Sequence, residues 1–209
     1  MKEELIKAIV FDLGGVLIDW NPRHLYRKIF SDTQEMEFFL REICHSEWNE
    51  QQDAGRSFAE GCQQLSDKFP QYENEIMAYG SRWTEMLNGE ISGTVEILQS
   101  LHHQNQYRLI ALSNWSKETF PIAKKQFPFL DLFEGLIISG EIGYKKPDPK
   151  IYEHLFRNYG LRPEQCLFID DMKRNTDAAR KTGMHVIHFQ SPTQLSEDLI
   201  SYNLIRKIS

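Results

Sequence analysis

Apolar residues follow two rhythms along this chain. In one, they form short continuous runs. Residues 5–12 hold such a run, ending in Phe11-Asp12. Others are Tyr107-Arg108-Leu109-Ile110-Ala111-Leu112, Leu136-Ile137-Ile138, Cys166-Leu167-Phe168-Ile169 and His185 to Phe189. Runs of this length suit strands buried on both faces, as in a parallel sheet. In the other rhythm, apolar positions recur at helical spacing. Val95, Leu98 and Leu101 share a face, as do Ile151, Leu155 and Tyr159. A helix is predicted from about Lys117 to Phe127, stopped by Pro128, and another from near Thr176 to a C-terminal stop at Gly183. Strands alternating with helices predict crossover units and an α/β, Rossmann-like parallel sheet.

The segment between the first strand and about Leu87 departs from that alternation. It predicts helices and no strand. Asn21-Pro22 reads as a helix start. Leu25, Ile29 and Phe30 share one face, Met36, Phe39, Leu40 and Ile43 another, and Phe58, Cys62 and Leu65 a third. Phe69-Pro70 and Gly80 punctuate the segment. The expectation is a core built from residues 1–19 and 88–209, interrupted by an α-helical block at 20–87.

Composition narrows the partners. The 209 residues carry a net charge of −6, and no basic stripe appears. That argues against nucleic acid and anionic membranes. Cys44, Cys62 and Cys166 are widely spaced, which favours buried thiols over a disulfide framework or a zinc site. Glu3, Glu4, Lys7 and Asp12 interrupt the N-terminal apolar run, unlike a signal peptide, and no stretch is long enough to span a bilayer. A cytoplasmic protein acting on a small molecule is expected. An acidic protein that handles an anionic substrate must gather positive charge locally.

The ends of the predicted strands carry chemistry. In open α/β sheets, ligands bind at the C-terminal ends of the strands. There the sequence delivers Asp12, Ser113-Asn114, Lys146 after the third main strand, and Asp170-Asp171. Crowded carboxylates raise one another's pKa, and a divalent cation relieves that cost. An oxygen-rich donor set favours magnesium, which leaves room for a phosphate. A carboxylate facing that phosphate can act as nucleophile, with lysine, hydroxyl and backbone N–H groups stabilising the charge in flight.

These residues resemble the four motifs of the haloacid dehalogenase superfamily, most of whose members are magnesium-dependent phosphatases. The first is Phe11-Asp12-Leu13-Gly14-Gly15-Val16-Leu17 and the second Leu112-Ser113-Asn114. The third is Gly143-Tyr144-Lys145-Lys146-Pro147-Asp148-Pro149, and the fourth Phe168-Ile169-Asp170-Asp171 with Asn175. The helical block falls where the family places a C1-type cap. The resemblance implies Asp12 as nucleophile and metal ligand, with the Gly14 carbonyl as a second ligand. Ser113 and the main chain of Asn114 would hold the phosphoryl group, and Lys146 would offset charge. Asp171 would bind magnesium, with Asp170 and Asn175 as ligands or supports. Lys145 reads as a solvated lysine.

One position departs from the pattern. Most phosphatases of the family carry a second Asp two residues after the nucleophile, which protonates the leaving group; here Gly14 stands there. A subgroup with glycine at this position includes hexose 1-phosphate phosphatases, so a sugar phosphate is the expected substrate. Asp19, His24 and His45 are the nearby candidates for the missing acid, and sequence does not choose among them. Two other readings remain: a metal-independent 2-haloacid dehalogenase, and a non-catalytic binding or regulatory protein that keeps the fold.

Overall fold

The strand β1 (Ala8–Phe11) lies in the middle of a five-stranded, all-parallel sheet. Its neighbours are β4 (Arg108–Ser113) and β6 (Cys166–Asp170), flanked in turn by β5 (Gly135–Ile138) and β7 (His185–His188). The order β5-β4-β1-β6-β7 places the reversal of chain direction across the sheet at β1. That reversal opens a crevice beyond the C-terminal ends of the strands. The computed structural model describes residues 6–206; residue 5 of the predicted first strand, and the rest of 1–5 and 207–209, lie outside the described residues.

The continuous apolar runs are explained by two-sided burial. Ile9, Phe11, Leu109, Ala111, Leu167 and Ile169 point into one cluster; Ala8, Val10, Ile110, Leu112, Cys166 and Phe168 point into another. Helices α6 (Ser92–Gln104), α7 (Phe120–Gln126) and α11 (Pro192–Ser201) supply the first cluster, for example through Leu98, Ala123 and Leu195. The second takes Ile151, Tyr152 and Leu155 from α9 (Pro149–Tyr159) and Ala179 from α10 (Lys173–Thr182). Each fully buried side chain of this size contributes about 1.5–3 kcal/mol, an upper bound because the unfolded chain already buries some apolar surface. Helix α10 starts at Lys173, ahead of the expected Thr176, and ends at Gly183 with φ 101°. The short helix α8 (Ser139–Ile142) follows β5 directly.

The sequence pattern missed α8 and also a pair of strands. β2 (Ile18–Trp20) pairs antiparallel with β3 (Leu87–Glu90). The strands have three and four residues, mix polar with apolar positions, and are separated by the whole helical block. No alternation survives at that length. The pair carries the chain out of the sheet layer and back into it. Asp19 braces it, accepting hydrogen bonds from Asn88 Nδ2 at 2.9 Å and pairing with His24 Nε2 at 3.1 Å.

Between β2 and β3 lie α1 (Arg23–Tyr26), α2 (Thr33–Phe38), a π turn over Phe39–Ile43, α3 (Ser46–Asp53), α4 (Phe58–Ser66) and α5 (Glu73–Ser81). Side chains of Asp32, His45 and Ser57 cap the N-termini of α2, α3 and α4. The centre is aromatic: Tyr26 meets Phe39 with ring centroids 4.9 Å apart, and Trp48 meets Tyr79 edge-on at 4.9 Å. Tyr79, Tyr26 and Phe39 are fully buried.

Candidate active site

The three central strands deliver their side chains to one point. Phe11 is in register with Ala111 on one side and Ile169 on the other, so the residues that follow emerge side by side. Asp12 still donates its N–H to Ile169 (2.9 Å), which fixes the start of its side chain against β6. Beyond it the chain turns sharply: the N–H groups of Leu17 and Ile18 both reach the Leu13 carbonyl, at 2.8 and 2.9 Å. Gly15 has φ +75°, and a Cβ there would sit 2.5 Å from Asp171 Oδ2. Only glycine lets the turn pass that close to the fourth motif.

Both oxygens of the Asp12 carboxylate are engaged. Oδ1 accepts from Ser113 Oγ at 2.8 Å and from the N–H of Leu13 at 2.7 Å. Oδ2 pairs with Lys146 Nζ at 2.8 Å. Lys146 is fully buried and also bonds Asp170 Oδ2 at 2.7 Å. The Asn114 amide pins the lysine's main chain, accepting from its N–H at 2.7 Å and donating to its carbonyl at 2.9 Å. Asp170 is fully buried behind the site. Its oxygens accept from Lys146, from Asn175 Nδ2 at 3.0 and 3.1 Å, and from the N–H of Met172 at 2.8 Å.

Electrostatics bear the marks of an unfinished charge balance. Oxygens of Asp12, Asp170 and Asp171 lie within 4.8 Å of one another. Burial, then the charges of Asp170 and Asp171, push the Asp12 carboxyl up to about 7 despite the opposing pull of Lys146. Asp171 is raised too, by burial and by Asp170. Burial disfavours the charged form of Lys146, but Asp12 and Asp170 outweigh it and hold its pKa above the usual value.

An open cleft of about 650 Å³ runs from these residues to the helical block. Asp12, Gly14, Ser113, Asn114, Lys146, Asp171 and Asn175 line its floor, while Arg23, Glu37, Arg41, His45, Asn49 and Asp53 line its roof. Ion pairs cross between the two layers. Glu50 on α3 accepts hydrogen bonds from Lys145 and Arg174. Lys145 is therefore half-buried and paired, where the sequence reading expected solvent. Ser139 Oγ donates to the Asp53 carbonyl at 2.6 Å, seating the end of α3 on the sheet layer. Trp115 packs against Trp83 at 5.7 Å, under the block.

The three candidates for a replacement acid separate clearly. Asp19 spends both oxygens on Asn88 and His24, and these bonds hold its carboxyl below the ordinary range even against the cost of burial. His24 is committed to Asp19. His45 lines the cleft, but its Nδ1 caps α3 by accepting from Trp48 N–H at 3.3 Å. Asp53 was missed. It lies on α3 four residues after Asn49, within a polar helix whose composition reads as solvated. Trp48 is the one apolar residue in Ser46–Asp53, and it does not mark Asp53 as turned inward.

Known proteins match this arrangement along almost the whole chain. A sesquiterpene phosphatase of Aspergillus oryzae is 31% identical over 183 residues, covering 87% of this chain and 89% of that protein. An enzyme of the haloacid dehalogenase family from Bacteroides thetaiotaomicron, solved in complex with magnesium and inorganic phosphate, superposes with a TM-score of 0.67. It is 25% identical, and the match covers 89% of this chain and 95% of that one. The L-2-haloacid dehalogenase of Xanthobacter autotrophicus shares the fold, with a TM-score of 0.67 at 16% identity over 97% of this chain and 85% of that one. The sequence model of the haloacid dehalogenase-like hydrolases matches residues 6–183, and the chain belongs to that family.

Proposed function

We propose that the chain is a magnesium-dependent phosphatase of small phosphomonoesters, sugar phosphates first among them, acting through an aspartyl-phosphate on Asp12. The observation that carries this reading is the Asp12 carboxylate. It is held between a hydroxyl, a backbone N–H and a buried lysine, within 4.8 Å of the Asp171 and Asp170 oxygens.

The donor set suits a magnesium ion. It consists of carboxylate oxygens, those of Asp12 and Asp171 with a raised proton affinity, and the carboxylates outnumber the one lysine that bridges Asp12 and Asp170. Asp12, Asp171 and the Gly14 carbonyl would hold the ion. Asp170, its oxygens already engaged, keeps Lys146 aimed at Asp12. When bound, magnesium neutralises phosphate charge and lets an anionic nucleophile approach.

The protein groups do the rest. Asp12 forms a bond to phosphorus as the ester oxygen leaves. Ser113 and the Asn114 main chain position the phosphoryl oxygens, and Lys146 balances the charge that spreads onto them. Water then attacks phosphorus and releases Asp12 and inorganic phosphate. Helical residues roofing the cleft (Arg23, Glu37, His45 and Asn49) offer donors and acceptors suited to a hydroxylated substrate. Gly14 is the residue shared with the subgroup that includes hexose 1-phosphate phosphatases. The helical segment 20–87 acts as the cap that selects among substrates. Three buried cysteines fit a reducing compartment such as the cytoplasm, and no helix among the described residues is long and apolar enough to cross a membrane.

The test is phosphate release from a panel of hexose 1-phosphates, hexose 6-phosphates and prenyl phosphates, with magnesium and with a chelator. The expected result is magnesium-dependent turnover that is lost in Asp12→Asn. Halide release from 2-haloacids that survives the chelator would replace this reading with the dehalogenase one.

A further inference from the structure

We propose that Asp53, on the last turn of α3, is the general acid and base that position 14 does not provide. This rests on the phosphatase reading above. A Cβ added at Gly14 would meet no atom within 4 Å, so the space an aspartate would fill there is open. That space belongs to a recess of about 60 Å³ lined by Gly14, Asn114, Thr119, Trp20, Asn49 and Asp53. Asp53 is the carboxylic acid in that lining. It also lines the larger cleft that contains Asp12 and Asp171. The side chain lines, from the opposite layer, the recess that the family enters from the strand end.

Asp53 is held for such a task. Asn49 Nδ2 donates to its Oδ2 at 3.1 Å, and Ser139 anchors its carbonyl. Withdrawal from water, and then Glu50 on the same helix, push its carboxyl up to about 7. Lys145, the Ser116 N–H and Lys146 pull the other way and do not prevail. A carboxyl poised there donates and recovers a proton near neutral pH. Asp19, by contrast, is held ionised.

In the first half-reaction, an Asp12 oxygen bonds to phosphorus and the ester P–O bond breaks. The Asp53 proton passes to the leaving oxygen, so a neutral alcohol departs and Asp53 is left ionised. In the second, ionised Asp53 takes a proton from water as its oxygen attacks phosphorus. The bond to Asp12 breaks, phosphate leaves, and Asp53 is protonated again. Because Asp53 sits on the helical block, the acid is in place only when the block is seated.

The experiment compares two esters with magnesium present: 4-nitrophenyl phosphate, whose leaving group needs little protonation, and phenyl phosphate, whose phenol has a pKa of about 10. Single-turnover and steady-state release are measured for the parent, D53N, D12N, G14D and G14D/D53N. D53N should slow first-turnover phenol release by about 10²–10⁴-fold, but first-turnover 4-nitrophenol release by no more than about tenfold. Its steady state with 4-nitrophenyl phosphate should then fall behind the burst, as phosphorylated Asp12 accumulates. G14D/D53N should recover most of the phenol rate, because a conventional acid then occupies the open space. That recovery also distinguishes lost chemistry from lost folding. Equal losses on both esters in D53N, or no recovery in G14D/D53N, would overturn the assignment to Asp53 while leaving the phosphatase intact. A parent that releases nothing from either ester in an Asp12-dependent way would remove both readings together.

Discussion

The rim of the sheet and the helical roof above it are built on opposite principles. On the rim, each polar group has several partners: the carboxylates of Asp12 and Asp170 have three each, and Lys146 lies fully buried between them. Low local dielectric makes such a network strong when complete and costly when broken. The roof is a small aromatic core dressed with exposed ion pairs, such as Arg23–Glu37 and Arg82–Glu85. These contribute little individually. A rim of this kind fixes one chemistry, whereas a roof of this kind can change its lining residues without losing its fold. The contrast predicts that rim substitutions abolish function or folding, while roof substitutions, Asp53 apart, retune substrate choice.

The sharpest break of the rim is Asp12→Asn. Removing the nucleophile should lower phosphate release by more than about 10³-fold. Stability should move the other way. The folded pKa of Asp12, about 7, lies above its ordinary 3.8, so the ionised side chain costs stability progressively as pH rises from 3.8 through 7. The amide carries no such cost. Thermal unfolding at pH 8 should therefore be no lower in the variant than in the parent; a clearly lower midpoint would show that the ion pair with Lys146 dominates.

Lys146→Met tests the network from the cationic side. It leaves Asp12 and Asp170 buried without the cation between them. Removing one partner of a buried pair costs about 3–5 kcal/mol. The variant should unfold at markedly lower denaturant concentration, and magnesium should restore part of the loss. A drop below about 1 kcal/mol would mean the rim is less coupled than its hydrogen bonds indicate.

Asp171→Asn separates the metal from the rest of the rim. Asp171 is less buried than Asp170 and faces the cleft. The parent should gain about 2.7 kcal/mol of stability at magnesium concentrations a hundredfold above the dissociation constant. The variant should need about 10–100-fold more magnesium for the same gain. Magnesium titrations followed by thermal unfolding read this without reference to any substrate. Equal titrations in both chains would place the ion elsewhere.

The rim was legible in the sequence and the roof was not, for a physical reason. Asp12, Ser113 and Asp170 each end a continuous apolar run, and such runs mark strands buried on both faces. Strand ends in a parallel sheet must converge, so the residues that follow them meet. Lys146 lies in a loop, yet the adjacent Pro147 and the motif around it identified it. Nothing comparable marks the roof. The β2–β3 pair joins short mixed segments about 70 residues apart, and no periodicity survives in them. Helix α3 is polar apart from Trp48, and burial at the seam, not composition, decides that Gln52 has no exposure and that Asp53 faces the cleft. Lys145 reads as a solvated charge because its meeting with Glu50, which also holds Arg174, depends on tertiary contact alone.

The mildest test concerns that meeting. Glu50 clasps the roof to the floor through Lys145 and Arg174, with its side chain only 15% exposed. Burial opposes its ionisation, but the hydrogen bonds from the two cations outweigh this and hold its carboxyl below the ordinary 4.5. A depressed folded pKa gives stability that is fully present above 4.5 and is lost as pH falls through the folded value. Glu50→Gln should therefore lower global stability by no more than about 1 kcal/mol at pH 7. The difference from the parent should shrink on acidification and in high salt, which screens the pair. Because the clasp sits between layers and outside the rim, KM should rise more than kcat falls. Proteolytic nicking should increase first within residues 20–87. A variant that instead loses kcat at unchanged KM would show that the seating on which Asp53 depends rests on this one clasp, and the division between a fixed rim and a tunable roof would no longer hold for α3.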